Sequence, residues 1–224
     1  MTPERFRTLK AALMRRQPDL TVVADDVHKP HNLAALLRTC DAVGVFEIHA
    51  VGTDSGFKRS EHISGGTAPR VGARTHRALI PAMESLKAAG FQVVAAHLTG
   101  ASADYRTVDY TRPTALLLGS ELRGVSAAAA ALADCHASLP MRGLATSLNV
   151  SVAAALFLYE AARQREAAGL YTTCRLSEEQ FAQTLFEWSH PDIAARCRLK
   201  GLPYPPLTAD GDLAANPFVL TTGA

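Results

Sequence analysis

Three short segments carry polar side chains where a plain scaffold would not need them. In the first, His31-Asn32-Leu33-Ala34-Ala35-Leu36-Leu37-Arg38, an amide and a guanidinium stand six residues apart. That is near enough to two helical turns for them to share a side. In the second, Leu118-Gly119-Ser120-Glu121-Leu122-Arg123-Gly124, two glycines bracket a carboxylate just after an apolar run. Glycine lets a backbone approach a ligand closely. In the third, Leu139-Pro140-Met141-Arg142-Gly143-Leu144-Ala145-Thr146-Ser147-Leu148-Asn149-Val150-Ser151, three small polar residues enter an apolar helix. Capping explains one of them, not all three. Taken singly, each segment also has a plain reading: an N-cap and a surface arginine, a tight turn, and small residues for close helix packing.

Other chemistries find less support. Cys40, Cys135, Cys174 and Cys197 are never two to four residues apart, so no structural metal and no disulfide framework is expected. No GxGxxG follows the first strand and no GxxxxGK[ST] occurs, which disfavours an ordinary dinucleotide or P-loop nucleotide site.

The elements that must position these segments read as alternating strands and helices. Residues 4–16 form a helix with an apolar stripe of Phe6, Leu9 and Leu13. Strands are expected at 20–24, 46–51, 91–96, 114–118 and 135–139. Helices are expected at 33–42 with Asn32 as N-cap, at 81–89 opened by Pro81, from Ser126 through the alanine run, at 148–168, and at 177–188. Ser177 and Gln180 offer a capping box there. Residues 52–72 read as loop, and the proline-rich stretch past Gly201 as extended or frayed. Strands alternating with helices imply an α/β fold with a parallel sheet. Ligands bind such folds at the carboxyl ends of the strands, here 96–100, 119–124 and 139–144.

Length and charge set the frame. The 224 residues suffice for one medium domain with short extensions. No run approaches the roughly 18 apolar residues of a membrane span, and the charged N-terminus lacks the apolar core of a signal peptide, so a soluble cytoplasmic protein is expected. The net charge of +2 is unevenly spread. Residues 1–16 hold five Lys/Arg against one Glu, residues 17–200 balance, and Asp210 and Asp212 end the chain acidic. Lys58, Arg59, Arg70, Arg74 and Arg77 make a second basic run, opposed there only by Glu61. Such runs are solvated faces or phosphate-docking surfaces.

In order and spacing, the three segments resemble the motifs of the SpoU branch of the knotted (SPOUT) RNA 2′-O-methyltransferases. Arg15-Arg16-Gln17-Pro18-Asp19-Leu20-Thr21, Val27-His28-Lys29-Pro30-His31-Asn32, Asp109-Tyr110-Thr111-Arg112-Pro113 and Gly201-Leu202-Pro203-Tyr204-Pro205 narrow the resemblance to the tRNA (guanosine-18-2′-O)-methyltransferases. It spans about residues 3–206. It implies a parallel sheet flanked by helices with a deep C-terminal trefoil knot, which general connection rules would not suggest. The implied parts are a basic N-terminal helix (1–18), a knotted catalytic domain (19–168), a C-terminal helical extension (169–206) and a flexible tail (207–224).

The resemblance further implies a homodimer that binds tRNA. It implies S-adenosylmethionine held largely by backbone at Ala96, Leu98, Gly119, Leu139, Met141 and Leu148. Arg38, Asn32, Glu121, Ser147 and Asn149 take catalytic places by the same resemblance. Arg38 is the general base, or a cation that orients a substrate phosphate, and it approaches the cofactor across the dimer interface. Neutralising a free guanidinium at pH 7 costs about 7.5 kcal/mol, which keeps both roles open. Arg15, Arg16, Arg163 and Arg165 are the implied tRNA contacts; His28, His31 and His62 are alternative groups to act on phosphate, with a plain reading as solvated or capping residues. Two departures stand out: Leu122-Arg123 where the second motif commonly continues with Lys, and Ala145-Thr146 where Val-Gln is frequent. The alternatives are a sister 2′-O-methyltransferase acting on rRNA or another tRNA position, and a non-catalytic tRNA-binding protein.

Overall fold

The computed structural model describes every residue except 28, 53–69, 121–122, 216–217 and 219–224. In chain order the elements are α1 (Pro3–Met14), β1 (Leu20–Asp25), α2 (Pro30–Ala42), β2 (Glu47–Val51), β3 (Gly72–His76), α3 (Leu79–Ala88), β4 (Gln92–Ala96) and β5 (Ala103–Asp104). A 3-10 turn (Tyr105–Thr107) follows, then β6 (Thr114–Leu118), α4 (Ala127–Leu132), β7 (Cys135–Ser138), α5 (Val150–Ala167), α6 (Glu178–Ser189) and α7 (Pro191–Lys200). They form two compact units, residues 17–170 and residues 1–16 with 171–224.

In the larger unit the strands make one sheet in the order β3-β2-β1-β6-β4-β7-β5, with parallel pairing throughout. The central strands are buried on both faces, so they read as unbroken apolar runs rather than alternating ones. Val22, Ala24, Leu116 and Leu118 face α2 and α5, packing on Leu33, Leu36, Phe157 and Leu158. Val23, Ala115 and Leu117 face the other way, toward Met83 and Leu86 of α3 and Ala129 of α4.

Several local expectations change. Asn32 does not cap α2: Lys29 holds the N-cap position and Pro30 opens the helix, so Asn32 lies inside the first turn and is buried. α3 starts at Leu79, which puts Pro81 in a first turn where its missing N–H matters little. Two strands were not expected. β5 is only two residues long, and β3 (GARTH) is a largely exposed edge strand whose Arg74 pairs with Glu47 of β2 at 3.0 Å. Lys58 and Arg59 of the second basic run, and His62, lie outside the described residues.

Arg165 is a correction with structural weight. It is fully buried, so it cannot serve as a tRNA contact. Its guanidinium donates to Tyr110 O (2.9 Å), Gln17 Oε1 (3.0 Å), Asp19 Oδ1 (2.7 Å), Asp19 O (3.0 Å) and Arg112 O (3.0 Å). These bonds tie the last turns of α5 to the entry of β1 and to the approach to β6. Gln164 adds two more, donating to Val108 O and accepting from Tyr110 N, each at 2.9 Å.

In the smaller unit α1 packs on α6 and buries Phe6, Leu9 and Leu13. The capping box between Ser177 and Gln180 is formed. α7 was not expected; it ends at Gly201 in the left-handed conformation. Arg16 is also a correction: it is buried, with its guanidinium 5.1 Å from the centre of the Trp188 ring, and is not available to a phosphate. Nor are residues 207–215 a free tail. Leu207 and Leu213 form an antiparallel bridge, and His190 Nε2 bonds Gly211 O at 2.7 Å. A side chain at 211 would meet the Phe6 ring at 2.4 Å, and φ there is +88°, so this position calls for glycine.

Two consequences can be measured. Arg165→Ala leaves Asp19 and several carbonyls without their partner and is expected to cost about 3–5 kcal/mol in urea unfolding. Arg163→Ala, which breaks an exposed pair with Glu160, should cost less than about 1 kcal/mol. The second concerns His49, whose Nδ1 lies 2.8 Å from His76 Nε2. Burial, then the neighbouring His76 and Arg74, pushes the His49 imidazole down to about 4. The folded state therefore favours the neutral ring, and stability present above pH 6.5 declines as pH falls toward 4, by up to roughly 3 kcal/mol. Urea midpoints at pH 7.5, 6 and 5 should show that slope, and His49→Gln should flatten it.

Candidate active site

β6, β4 and β7 lie side by side, and their carboxyl ends open into one cavity of about 560 Å³. β4 runs out into Ala96, His97 and Leu98, β6 into Gly119 and Ser120, and β7 into Leu139 and Met141. The start of α5 closes the fourth side with Ser147, Leu148, Asn149 and Val150, while Lys29 and Asn32 approach from the start of α2. All six residues expected to hold the cofactor thus meet in one wall.

The catalytic candidates divide. Asn32, Ser147 and Asn149 line the cavity. Asn149 is the N-cap of α5: its Oδ1 accepts from Ser151 N (2.9 Å) and Ser151 Oγ (2.7 Å), and its Nδ2 donates to Asn32 Oδ1 (3.1 Å). Capping therefore accounts for Asn149 and Ser151 together, and it leaves Ser147 in the wall. Glu121 lies outside the described residues. Arg38 is exposed and is not part of the wall. Six residues along a helix amount to about 120° of net rotation, so Asn32 and Arg38 do not share a side after all.

The turn after β6 is closed by Ser120 N to Gly124 O (3.1 Å) and Gly124 N to Ser120 O (2.8 Å). It doubles back so tightly that a Cβ on Gly119 would lie 2.3 Å from the Gly124 carbonyl carbon. Beside it, Asp26 adopts a left-handed φ of 52° and its carboxylate lies 3.8 Å from Arg123. Burial, then the Asp26 charge, raises the Asp25 carboxyl, and Arg123 partly offsets this.

Some wall residues were not anticipated. Lys29 could have been: it sits inside the Val27–Asn32 string that carried the resemblance. His97 could not, since one histidine after a strand has no distinguishing pattern. Its Nδ1 and that of His136 are both buried without a hydrogen bond among the described residues, and the rings are 5.5 Å apart. Of the remaining tRNA candidates, Arg15 is exposed with its Nε donating to Ala11 O, and Arg163 is exposed and bonded to Glu160. The described residues contain no group of three or more His, Cys, Asp or Glu that could hold a metal ion.

The chain matches the SpoU rRNA methylase family over residues 19–159 and the SpoU rRNA methylase C-terminal family over residues 163–216. It is 45% identical over 218 residues to the tRNA (guanosine(18)-2′-O)-methyltransferase of Escherichia coli K12, covering 96% of this chain and 95% of the relative. The Thermus thermophilus enzyme of the same name is 51% identical over 187 residues, 84% of this chain and 96% of that one. Among solved structures, the TrmH/SpoU tRNA modifying enzyme of A. aeolicus superposes with a TM-score of 0.78 at 42% identity, covering 85% of this chain and 97% of its own. The SpoU methyltransferase AviRb of Streptomyces viridochromogenes, crystallised with AdoMet, gives 0.59 at 32% identity, covering 69% and 62%.

The cavity fits that cofactor. Its volume is in the range of small-molecule sites, Leu118, Leu139 and Phe157 offer apolar surface, and three strand ends and a glycine turn present main-chain groups. Gly119→Ala forces the 119–125 turn to move and should weaken S-adenosylmethionine binding at least about tenfold by calorimetry, with the urea midpoint as a control for folding. From the order of its three motifs to the length of its match, this chain belongs to the SpoU methylase family.

Proposed function

We propose that this protein transfers a methyl group from S-adenosylmethionine to the ribose 2′-hydroxyl of guanosine 18 in the D-loop of tRNA. The observation that carries the reading is the single cavity in which the ends of β4, β6 and β7 meet the Asn149–Asn32 pair. The near full-length similarity to tRNA guanosine-18 enzymes supports the substrate. No described helix is long and apolar enough to cross a membrane.

The cofactor supplies an electrophilic methyl group on a sulfonium. The protein's task is alignment, because an in-line displacement is governed by positioning. Asn149 does this with both ends of its amide: one end caps α5 and the other holds Asn32, which locks the cavity mouth to α2. Ser147, one position before Leu148, offers a hydroxyl to the ribose. Glu121, which lies outside the described residues, keeps its catalytic place on the resemblance alone.

The hydroxyl proton must also leave. In the single chain Arg38 makes no hydrogen bond among the described residues and stands outside the wall. We place it in the site of a second copy. α5 supports a symmetric dimer: Leu148 (38% exposed), Val152 (48%), Leu156 (41%) and Tyr159 (59%) form an exposed apolar stripe at helical spacing, which a lone chain would leave in water. α2, which carries Arg38, packs on the same helix. There Arg38 acts as a cation that orients a substrate phosphate, and a phosphate oxygen accepts the proton. The trefoil knot belongs to this reading as well, with the 139–149 segment as the threaded strand of chain.

Incubating the protein with S-adenosylmethionine and an unmodified tRNA transcript, then mapping 2′-O-methylation, tests the proposal. The mark should appear at guanosine 18. A mark at another tRNA position, or on rRNA alone, would assign the chain to a sister activity, and tRNA binding without any mark would make it a non-catalytic binder.

A further inference from the structure

The 139–149 segment has a second side. Leu139, Met141 and Leu148 line the cofactor cavity, and the same three residues also line a smaller cleft of about 280 Å³. Its other walls are Tyr105, Arg106, Pro140, Arg142 and Leu156. The cleft therefore shares a wall with the cofactor site and borders the exposed stripe of α5 at Leu156.

Two guanidiniums line the cleft, and one of them is bonded to Asp104. Arg106 is committed: its Nε and Nη2 bond the two oxygens of Asp104 at 2.9 and 2.5 Å, and its guanidinium lies 5.6 Å from the centre of the Tyr105 ring. Tyr105 is in turn fixed edge-on against Phe157 at 5.5 Å. With Asp104 matched by Arg106, the charge of Arg142 is in excess. Arg142 is exposed and, apart from the nearby charge of Asp104, its planar five-donor fork makes no hydrogen bond among the described residues at the rim of the cleft.

We infer that this cleft takes a phosphodiester of the bound tRNA, held by Arg142 with Arg106 beside it. The inference rests on the methyltransferase reading above, which makes the substrate a polyanion. A cleft of this size suits a phosphate group better than a base with its sugar, and a guanidinium fork matches phosphate oxygens in pairs. Because the gripping residue is next to Met141, the contact couples RNA binding to the segment that walls the cofactor. An acidic side chain of a second copy is the competing occupant. It is less favoured because the stripe beside the cleft, from Leu148 to Tyr159, is apolar.

The test uses the full chain, an unmodified tRNA transcript and S-adenosylmethionine. Arg142→Gln should weaken tRNA binding about tenfold and reduce the slope of log affinity against log salt by about 0.7–0.9, the loss of one phosphate contact. Affinity for S-adenosylmethionine should stay within about twofold, and Arg142→Lys should keep most of the salt slope while losing part of the affinity. An unchanged slope and tRNA affinity would overturn the inference. So would a tenfold loss of cofactor affinity, or a shift toward monomer in sedimentation, since these assign Arg142 to the loop or to the dimer. Wild-type protein that leaves the transcript unmethylated would instead count against the methyltransferase reading itself, which separates the two failures.

Discussion

A single buried guanidinium governs how α5 sits. Arg165 spends all five of its N–H donors on groups from two separate stretches of chain: Gln17 and Asp19 before β1, Tyr110 and Arg112 before β6. A charge this deep is tolerable only when it is fully satisfied, so the far end of α5 has one permitted position. The near end is held by a lighter device, the Asn149 cap and its bond to Asn32. Between the two, Phe157, Leu158 and Ala161 bury one face against the sheet and leave Val152, Leu156 and Tyr159 on the other. The cavity wall at the start of α5 and the exposed stripe along it follow from one constrained helix.

That constraint gives the 139–149 segment its importance. It begins at the end of β7 and ends at the cap of α5, both fixed points, and it carries bland residues that face the cofactor cavity. Backbone recognition tolerates such residues, which is why the wall is built from Ala96, Leu98, Gly119, Leu139, Met141 and Leu148 rather than from charged side chains. The polar work is left to a few groups at the mouth. Net charge follows the same division. Residues 17–170 hold 14 basic and 14 acidic side chains, so the whole +2 belongs to the terminal unit, with nine against seven.

Much of this was legible in the sequence where one physical signal dominated. Leu20–Ala24 and Thr114–Leu118 are apolar on both faces because they are covered on both faces. Ser177 and Gln180 announce a helix start through a reciprocal pair of bonds. β3 was not legible, since an exposed edge strand with Arg74 and His76 needs no apolar pattern. Asn32 misled as a cap because Pro30, two residues earlier, was the stronger start signal. Arg165 was misassigned beside Arg163, although a signal existed: the buried positions 154, 157, 158 and 161 of α5 continue at helical spacing to 165, not to 163. The cavity was legible as three strand ends. The place of Arg38 was not: in a single chain it is exposed and outside the cavity wall, and only the resemblance put it across a dimer interface.

Two chains complete each site in the mechanism we propose, with Arg38 of one serving the cavity of the other. Mixed dimers test this most directly. Arg38→Ala and Gly119→Ala subunits are co-refolded and assayed for methyl transfer to tRNA at an S-adenosylmethionine concentration low enough that neither parent is active alone. If Arg38 acts across the interface, half of the assemblies carry one intact site and activity recovers to about one quarter of wild type. If the mixture stays as inactive as its parents, both residues serve the same chain's cavity and the shared site is contradicted.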